Sequence, residues 1–80
     1  MSQQTKLKKS WQSKGYFVIN IIVISPTGLP DLLCLKPNHV VFVESKEKGD
    51  RLSNLQKIWL KRLSLMGFDC YVNMKKYNND

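Results

Sequence analysis

The sequence predicts an α/β fold in which a mixed four-stranded sheet is flanked by helices, in the order αβββαβ. Short apolar runs rich in β-branched residues alternate with turn residues, as is typical of strands. Two longer stretches repeat apolar residues at helical spacing. The last strand–helix–strand succession requires parallel pairing with a right-handed crossover. Eighty residues form one domain with a small core, because such a chain buries only roughly 60% of its unfolded surface.

The first predicted helix runs from Ser2 to Lys14. Ser2 is a favourable N-cap, Leu7 and Trp11 lie on one face at a spacing of i, i+4, and Gly15 stands where a helix normally stops. The next run, Tyr16 to Ile24, is dense in β-branched and aromatic residues. We therefore expect a strand that is buried on both faces.

A hairpin is predicted in the middle of the chain, after a loop rich in proline and glycine at Ser25 to Pro30. Its strands are Asp31 to Leu35 and His39 to Lys46, and the turn between them contains Pro37-Asn38. Such a hairpin can bring the start of its first strand alongside the end of its second.

The second predicted helix follows a charged, glycine-containing connection at 47–51. It opens with the capping box Ser53-x-x-Gln56 and ends at Gly67. Its apolar residues are expected near one stripe: Leu55, Ile58, Trp59, Leu63 and Met66. Phe68 to Met74 forms the last strand, parallel to the second strand of the hairpin. The domain core is predicted at about 3–74, and the polar tail at 75–80 is expected to fray.

Charge favours nucleic acid as the partner. The chain has 13 Lys+Arg against 6 Asp+Glu, a net charge of +7, which suits a phosphate backbone. The candidate DNA contacts are cations of the first helix and of the connection before the second: Lys6, Lys8, Lys9, Lys14, Lys48 and Arg51. A simply solvated helix face is the alternative for the helix lysines. Gly28 either lets the backbone approach a phosphate or only supplies a positive φ in its turn.

The remaining composition indicates an intracellular protein. Cys34 and Cys70 lie in apolar runs without a Cys-x-x-Cys or Cys/His cluster, so we expect buried free thiols in a reducing compartment. His39 is isolated in a turn and is expected to be an ordinary surface residue. We expect no secretory signal and no membrane span, and hence a cytosolic location.

Three side chains carry the predicted chemistry. The hairpin can bring Asp31 beside Glu44 and Lys46, which project to the same side of an extended strand. Two carboxylates and the backbone carbonyl of Ser45 form a suitable oxygen site for Mg²⁺, and Lys46 can support phosphodiester cleavage beside it. Taken separately, Asp31 is a turn cap after proline, and Glu44 with Lys46 is a surface ion pair that contributes less than about 1 kcal/mol.

The ordered motifs resemble the VRR-NUC branch of the PD-(D/E)XK nuclease superfamily. They are Gly28-Leu29-Pro30-Asp31-Leu32-Leu33, then Phe42-Val43-Glu44-Ser45-Lys46, Leu52-Ser53 with Gln56, and Leu63 with Gly67. The resemblance covers about Gly28 to Val72. It implies a restriction-endonuclease-like core and a DNA endonuclease dependent on Mg²⁺ or Mn²⁺, in which Gln56 faces the catalytic end in addition to its capping role.

The resemblance also implies a small, standalone, phage-type protein that acts as a homodimer on branched DNA such as four-way junctions. This sequence departs from the family at one point. The first helix of the family often carries an acidic residue that joins the metal site, but here that region offers only Gln3 and Gln4. One metal position is therefore expected, and a second is in doubt.

Two other functions remain open. The missing acidic residue favours a basic DNA-binding module that has kept the fold without turnover, as a subunit of a repair or replication assembly. The charge alone also suits a structural RNA-binding protein, but this would leave the converging carboxylates unexplained, since acids oppose phosphate binding without an intervening cation.

Overall fold

The computed structural model describes residues 2–22 and 26–78. These residues form a five-stranded mixed sheet and two helices. The elements are α1 (Gln3–Ser13), β1 (Phe17–Asn20), β2 (Leu32–Lys36), β3 (His39–Glu44), α2 (Asn54–Leu65), β4 (Asp69–Val72) and β5 (Lys75–Lys76). The strands lie in the order β1-β2-β3-β4-β5, and only the β3–β4 pair is parallel. The α/β class and the parallel strand–helix–strand unit are confirmed.

Both helices begin as the sequence predicts. Ser2 accepts a hydrogen bond from the Thr5 backbone N–H at 3.1 Å and caps α1. Ser53 and Gln56 form the predicted capping box at the start of α2. These caps satisfy backbone donors that have no partner inside the helix.

Two separate apolar clusters lie on opposite faces of the sheet. The cluster under α1 contains the buried residues Leu7, Trp11, Val18, Leu32, Cys34, Val41 and Val43. The cluster under α2 is smaller and contains Leu60, Leu63 and Cys70, with Phe42, Leu52, Val72 and Tyr77 packed against it. Strand residues alternate between the two clusters because successive side chains point to opposite faces.

The predicted apolar stripe of α2 is wrong in part. Leu63 is buried, but Leu55, Ile58 and Met66 are exposed, and Leu60 is the fully buried residue. The helix turns the positions of Gln56, Leu60 and Leu63 toward the sheet, a spacing of i, i+4, i+7. This rotation directs the amide of Gln56 to the end of β3.

The expectation of a doubly buried first strand is also wrong. Val18 is buried, but Phe17 is 68% and Ile19 38% exposed. The reason is that β1 is an edge strand, whereas α2 packs against β4, near the opposite edge of the sheet. The strand ends at Asn20, and residues 23–24 of its predicted range lie outside the described residues.

The tail does not fray over all of the predicted range. Lys75 and Lys76 pair antiparallel with β4 and form a fifth strand, and Tyr77 packs against the cluster under α2. The chain turns back at Asn73, which has a φ of 56°, and asparagine tolerates this left-handed conformation better than most residues. Residues 79–80 lie outside the described part.

Cys34 and Cys70 are buried free thiols, as predicted. Burial raises the pKa of the Cys34 thiol to about 11. Neither helix in the described part of the chain is long and apolar enough to cross a membrane.

Gly28 is required at its position by both conformation and space. Its φ is +96°, and a Cβ would lie 2.8 Å from the Leu55 Cβ at the first turn of α2. We expect Gly28→Ala to lower the free energy of unfolding by about 2–3 kcal/mol. Urea unfolding measures this loss.

The matched control is Gly67→Ala, because Gly67 has a φ of +98° but nothing within 4 Å of the added Cβ. It should lose less than Gly28→Ala. Equal losses would show that contact with Leu55 does not constrain the loop.

Candidate active site

The hairpin brings Asp31 to the end of β3. The β2–β3 register pairs Leu32 with Val43, so the residue before β2 lies opposite the last residue of β3, Glu44. An Asp31 Oδ2 oxygen accepts a hydrogen bond from the Ser45 backbone N–H at 2.9 Å. The predicted juxtaposition of the two carboxyl groups is present in the structure.

Glu44 is the most buried residue of this site. It is only 2% exposed, and its Oε2 accepts a long hydrogen bond of 3.4 Å from Gln56 Nε2. Its Oε1 is buried and has no hydrogen-bond partner among the residues that the structure describes. Burial, together with hydrogen bonding and like charge at Asp31, raises the pKa of Glu44 to about 8, and Lys46 opposes this shift. Below this pH the carboxyl group is mainly protonated, and a nearby cation would favour its ionised form.

Lys46 lies just beyond the end of β3 and is half-buried. Its positive charge opposes the rise in the pKa of Glu44. Its backbone is held by Asn73, whose side-chain Oδ1 accepts from the Lys46 N–H and whose Nδ2 donates to the Lys46 carbonyl, both at 3.0 Å.

Gln56 has both of the positions that the sequence suggested. Its Oε1 accepts a hydrogen bond of 2.8 Å from the Ser53 backbone N–H, which completes the capping box. Its Nε2 points to Glu44 Oε2. Because the cap fixes one end of the amide, the other end is oriented toward the carboxyl group.

The donor set fits one hard divalent cation. Asp31, Glu44 and the Ser45 carbonyl would offer oxygen ligands, which Mg²⁺ and Mn²⁺ prefer, and the buried Glu44 Oε1 has no hydrogen-bond partner among the described residues. Within residues 2–22 and 26–78, no group of three or more His, Cys, Asp or Glu side chains is placed to hold a metal. The first turn of α1 contains no acidic residue.

The candidate DNA-binding cations are distributed over more than one surface. Lys6, Lys9 and Lys14 of α1, and Lys48 and Arg51 after β3, are exposed, and Lys8 is half-buried. Lys8 lines a cleft with Asn20 at the end of β1, and the neighbouring Ile21 N–H donates to the Asp31 carbonyl. Lys14 instead lines a cleft with Tyr16 and Lys36, which is at the other end of α1. Gly28 packs against Leu55, as described above.

His39 is not the ordinary surface residue that the sequence suggested. Its Nδ1 and the Tyr16 hydroxyl are 2.8 Å apart, and its Nε2 lies 2.8 Å from Asp69 Oδ2. Lys76 Nζ lies 3.3 Å from the other oxygen of Asp69. His39 holds the pKa of Asp69 below its usual value. This network stands at the start of β3, at the opposite end from Glu44.

Asn73 is the second residue that sequence reasoning missed. Its contacts with Lys46 span 27 residues of sequence, and the sequence showed only a polar residue in an alternating strand. An asparagine directly before a change of chain direction is the one signal that was available.

Comparison with known proteins agrees with this geometry. The model of the VRR-NUC domain family matches residues 22–74. A solved structure described as a VRR-NUC domain has a TM-score of 0.74 and 25% sequence identity, and the alignment covers 86% of this chain and 76% of that one. No curated protein matches the chain significantly. Because the family model spans more than half of the sequence, and includes Asp31, Glu44, Lys46 and Gln56, the chain belongs to the VRR-NUC family of the PD-(D/E)XK superfamily and is a nuclease-type domain.

Proposed function

We propose that this protein is a divalent-metal-dependent endonuclease that hydrolyses phosphodiester bonds of DNA, with branched DNA such as four-way junctions as its substrate. The observation that carries the proposal is the Glu44 carboxyl group. It is buried, keeps an oxygen without a described partner, and lies beside Asp31. Burial of such a group is costly unless a cation or proton compensates it.

In this proposal Asp31, Glu44 and the Ser45 carbonyl hold Mg²⁺ or Mn²⁺. When bound, the ion supplies an acidified water and offsets negative charge on the phosphate. Gln56 holds the Glu44 carboxyl group in place through Nε2. Lys46 places a positive charge beside the oxygens of the reacting phosphate and so stabilises the additional charge of the transition state.

DNA binding is proposed to depend on backbone contacts. The net charge is +7, and Lys48 and Arg51 are exposed in the segment that directly follows Lys46. Lys6, Lys8, Lys9 and Lys14 add positive charge along α1. Phosphate contacts fix the position of a duplex without reading its sequence, which suits recognition of a branched shape.

We also propose that two copies associate through the uncovered part of the sheet. Helix α2 covers one face of the sheet only near β4. On the same face, at β1, Phe17 and Ile19 are 68% and 38% exposed. Exposed apolar residues on an edge strand favour association with another chain. A second copy would cover it and supply a second site, as cleavage of two strands requires.

A specific observation favours one other function. The first turn of α1 contains no acidic residue, and Gln3 and Gln4 are weaker ligands for a divalent ion than a carboxylate. A basic DNA-binding module that has lost turnover, within a repair or replication assembly, would have this feature.

Cleavage of radiolabelled branched and linear DNA with Mg²⁺ or Mn²⁺ separates the two functions. The wild-type protein should cut, and Asp31→Ala and Lys46→Ala should each lower the single-turnover rate by about 100-fold or more. Asp50→Ala and Lys57→Ala are matched controls, because both residues are exposed and lie outside the site. Wild-type DNA binding without metal-dependent cutting would identify the inactive module instead.

The raised pKa of Glu44 predicts how stability depends on pH without metal. The ordinary pKa of a glutamate is 4.5, and that of Glu44 in the folded protein is about 8. Between these two pH values the folded protein keeps a proton on Glu44 that the unfolded chain has lost. Its contribution to stability is therefore present below this window and is lost as the pH rises through it. Urea unfolding at pH 5, 6.5 and 8 should show a decline that Glu44→Gln lacks.

Mn²⁺ should restore stability at pH 8 in the wild type, because a cation favours the ionised carboxylate. Glu44→Gln should gain less from Mn²⁺. Glu47→Gln, at the exposed neighbouring acid, serves as the control. Parallel pH curves for the wild type and Glu44→Gln would contradict the assignment.

The proposed dimer predicts a mass of twice the 9.3 kDa chain in sedimentation or light-scattering measurements. Phe17→Glu should shift the protein to the monomer, because a charge replaces an exposed ring at the proposed interface. Leu65→Glu places the same charge at a residue that is 73% exposed at the end of α2, and it should leave the mass unchanged. A monomeric wild type would refute the interface.

A further inference from the structure

Asn73 stands where the parallel pairing of β3 and β4 ends. The last register pair is Glu44 with Val72, and the Asn73 N–H then donates to the Glu44 carbonyl at 2.8 Å. With a φ of 56°, Asn73 turns the chain away into β5. After this point β4 has no further backbone to pair with the segment that carries Lys46.

The Asn73 side chain replaces that missing backbone. Its amide accepts from the Lys46 N–H and donates to the Lys46 carbonyl, at 3.0 Å in both cases. A primary amide carries the same donor and acceptor as a peptide group, so it pairs with Lys46 as one more strand residue would. Lys46 is thereby held although β3 formally ends at Glu44.

This pairing also orients the predicted metal ligand at Ser45. The peptide group is planar and trans, so the Ser45 carbonyl points away from the Lys46 N–H. Because that N–H faces Asn73, the carbonyl faces the opposite side, where Asp31 accepts from the Ser45 N–H. The Asp31 carboxylate thus holds the 44–45 peptide group from the β2 side, and the Asn73 amide holds the next two peptide groups from the β4 side.

A third contact anchors Asn73 itself. Its carbonyl accepts a hydrogen bond of 3.2 Å from the Trp11 indole. Trp11 is 3% exposed and packs edge-on against Tyr71 of β4, with ring centroids 4.9 Å apart. Asn73 is therefore fixed by the core under α1 while its side chain acts on the site at the end of β3.

We propose that Asn73 is a positioning residue for the nuclease reaction: its side-chain amide fixes the backbone of Lys46, and with it the Ser45 carbonyl, relative to the two carboxyl groups. This inference rests on the proposed function. Removing a residue that orients the metal ligands without touching the metal typically lowers activity or metal affinity by about 10–100-fold. We expect an effect of that size from loss of the Asn73 amide alone.

The test variant is Asn73→Gly, which keeps the positive φ and removes only the side chain. Asn38→Gly is the matched control, because Asn38 has a φ of 61° in the exposed β2–β3 turn. Single-turnover cleavage of junction DNA with Mn²⁺ should fall about 10–100-fold in Asn73→Gly and stay within 2-fold of wild type in Asn38→Gly. DNA affinity, measured with Ca²⁺ in place of Mn²⁺, should stay within 2-fold in both.

Amide hydrogen exchange followed by NMR provides a readout that does not need activity. The Lys46 amide should exchange at least about 10-fold faster in Asn73→Gly, as expected for loss of a protecting hydrogen bond, while amides of β2 and of the Leu60 turn keep their protection. If the wild type does not cleave, the proposed function fails, and the exchange rate still tests whether the Asn73 amide holds the Lys46 backbone.

Two outcomes would overturn the inference. One is unchanged Lys46 exchange, or a cleavage rate within 2-fold of wild type, in Asn73→Gly. The other is a joint loss of cleavage, DNA affinity and protection throughout the sheet, which would show that Asn73 supports only the fold. A selective loss of rate and of Lys46 protection supports it.

Discussion

The arrangement of this domain depends on the burial of one carboxyl group at the end of a central strand. Removing a carboxylate from water is costly unless it is paired or protonated, and Glu44 keeps one oxygen with no described partner. Its described neighbours are a second carboxyl group at Asp31, an amide at Gln56 and a positive charge at Lys46. The ionised form of Glu44 is therefore unfavourable in this site, and a proton or a cation relieves the cost.

The sheet resists this cost by holding the adjacent backbone from both sides. Asp31 accepts a hydrogen bond from the Ser45 N–H, and the Asn73 amide binds the Lys46 backbone. The capping box at the N-terminus of α2 fixes Gln56. These hydrogen bonds add to the small core that an 80-residue chain can build, to which Asn73 is tied through Trp11.

The sequence predicts those parts of the structure that depend on local patterns. The Pro37-Asn38 turn and the two flanking apolar runs specify the hairpin, and hence the meeting of Asp31 with Glu44. The exposure of β1 could not be predicted, because an apolar run does not reveal which neighbours cover it. The roles of His39 and Asn73 could not be predicted either, since their partners lie 23 to 62 residues away in sequence.

The two ends of β3 have opposite electrostatic character. At its start, His39, Asp69 and Lys76 form contacts of 2.8 and 3.3 Å, and these hold the pKa of Asp69 below its usual value, with the His39 hydrogen bond as the main cause. At its end, the pKa of Glu44 is raised. A lowered acid pKa stabilises the fold at neutral pH, whereas a raised one destabilises it. The contributions that the two ends of β3 make to stability therefore depend on pH in opposite directions: the one at Asp69 is lost as the pH falls, and the one at Glu44 is lost as the pH rises.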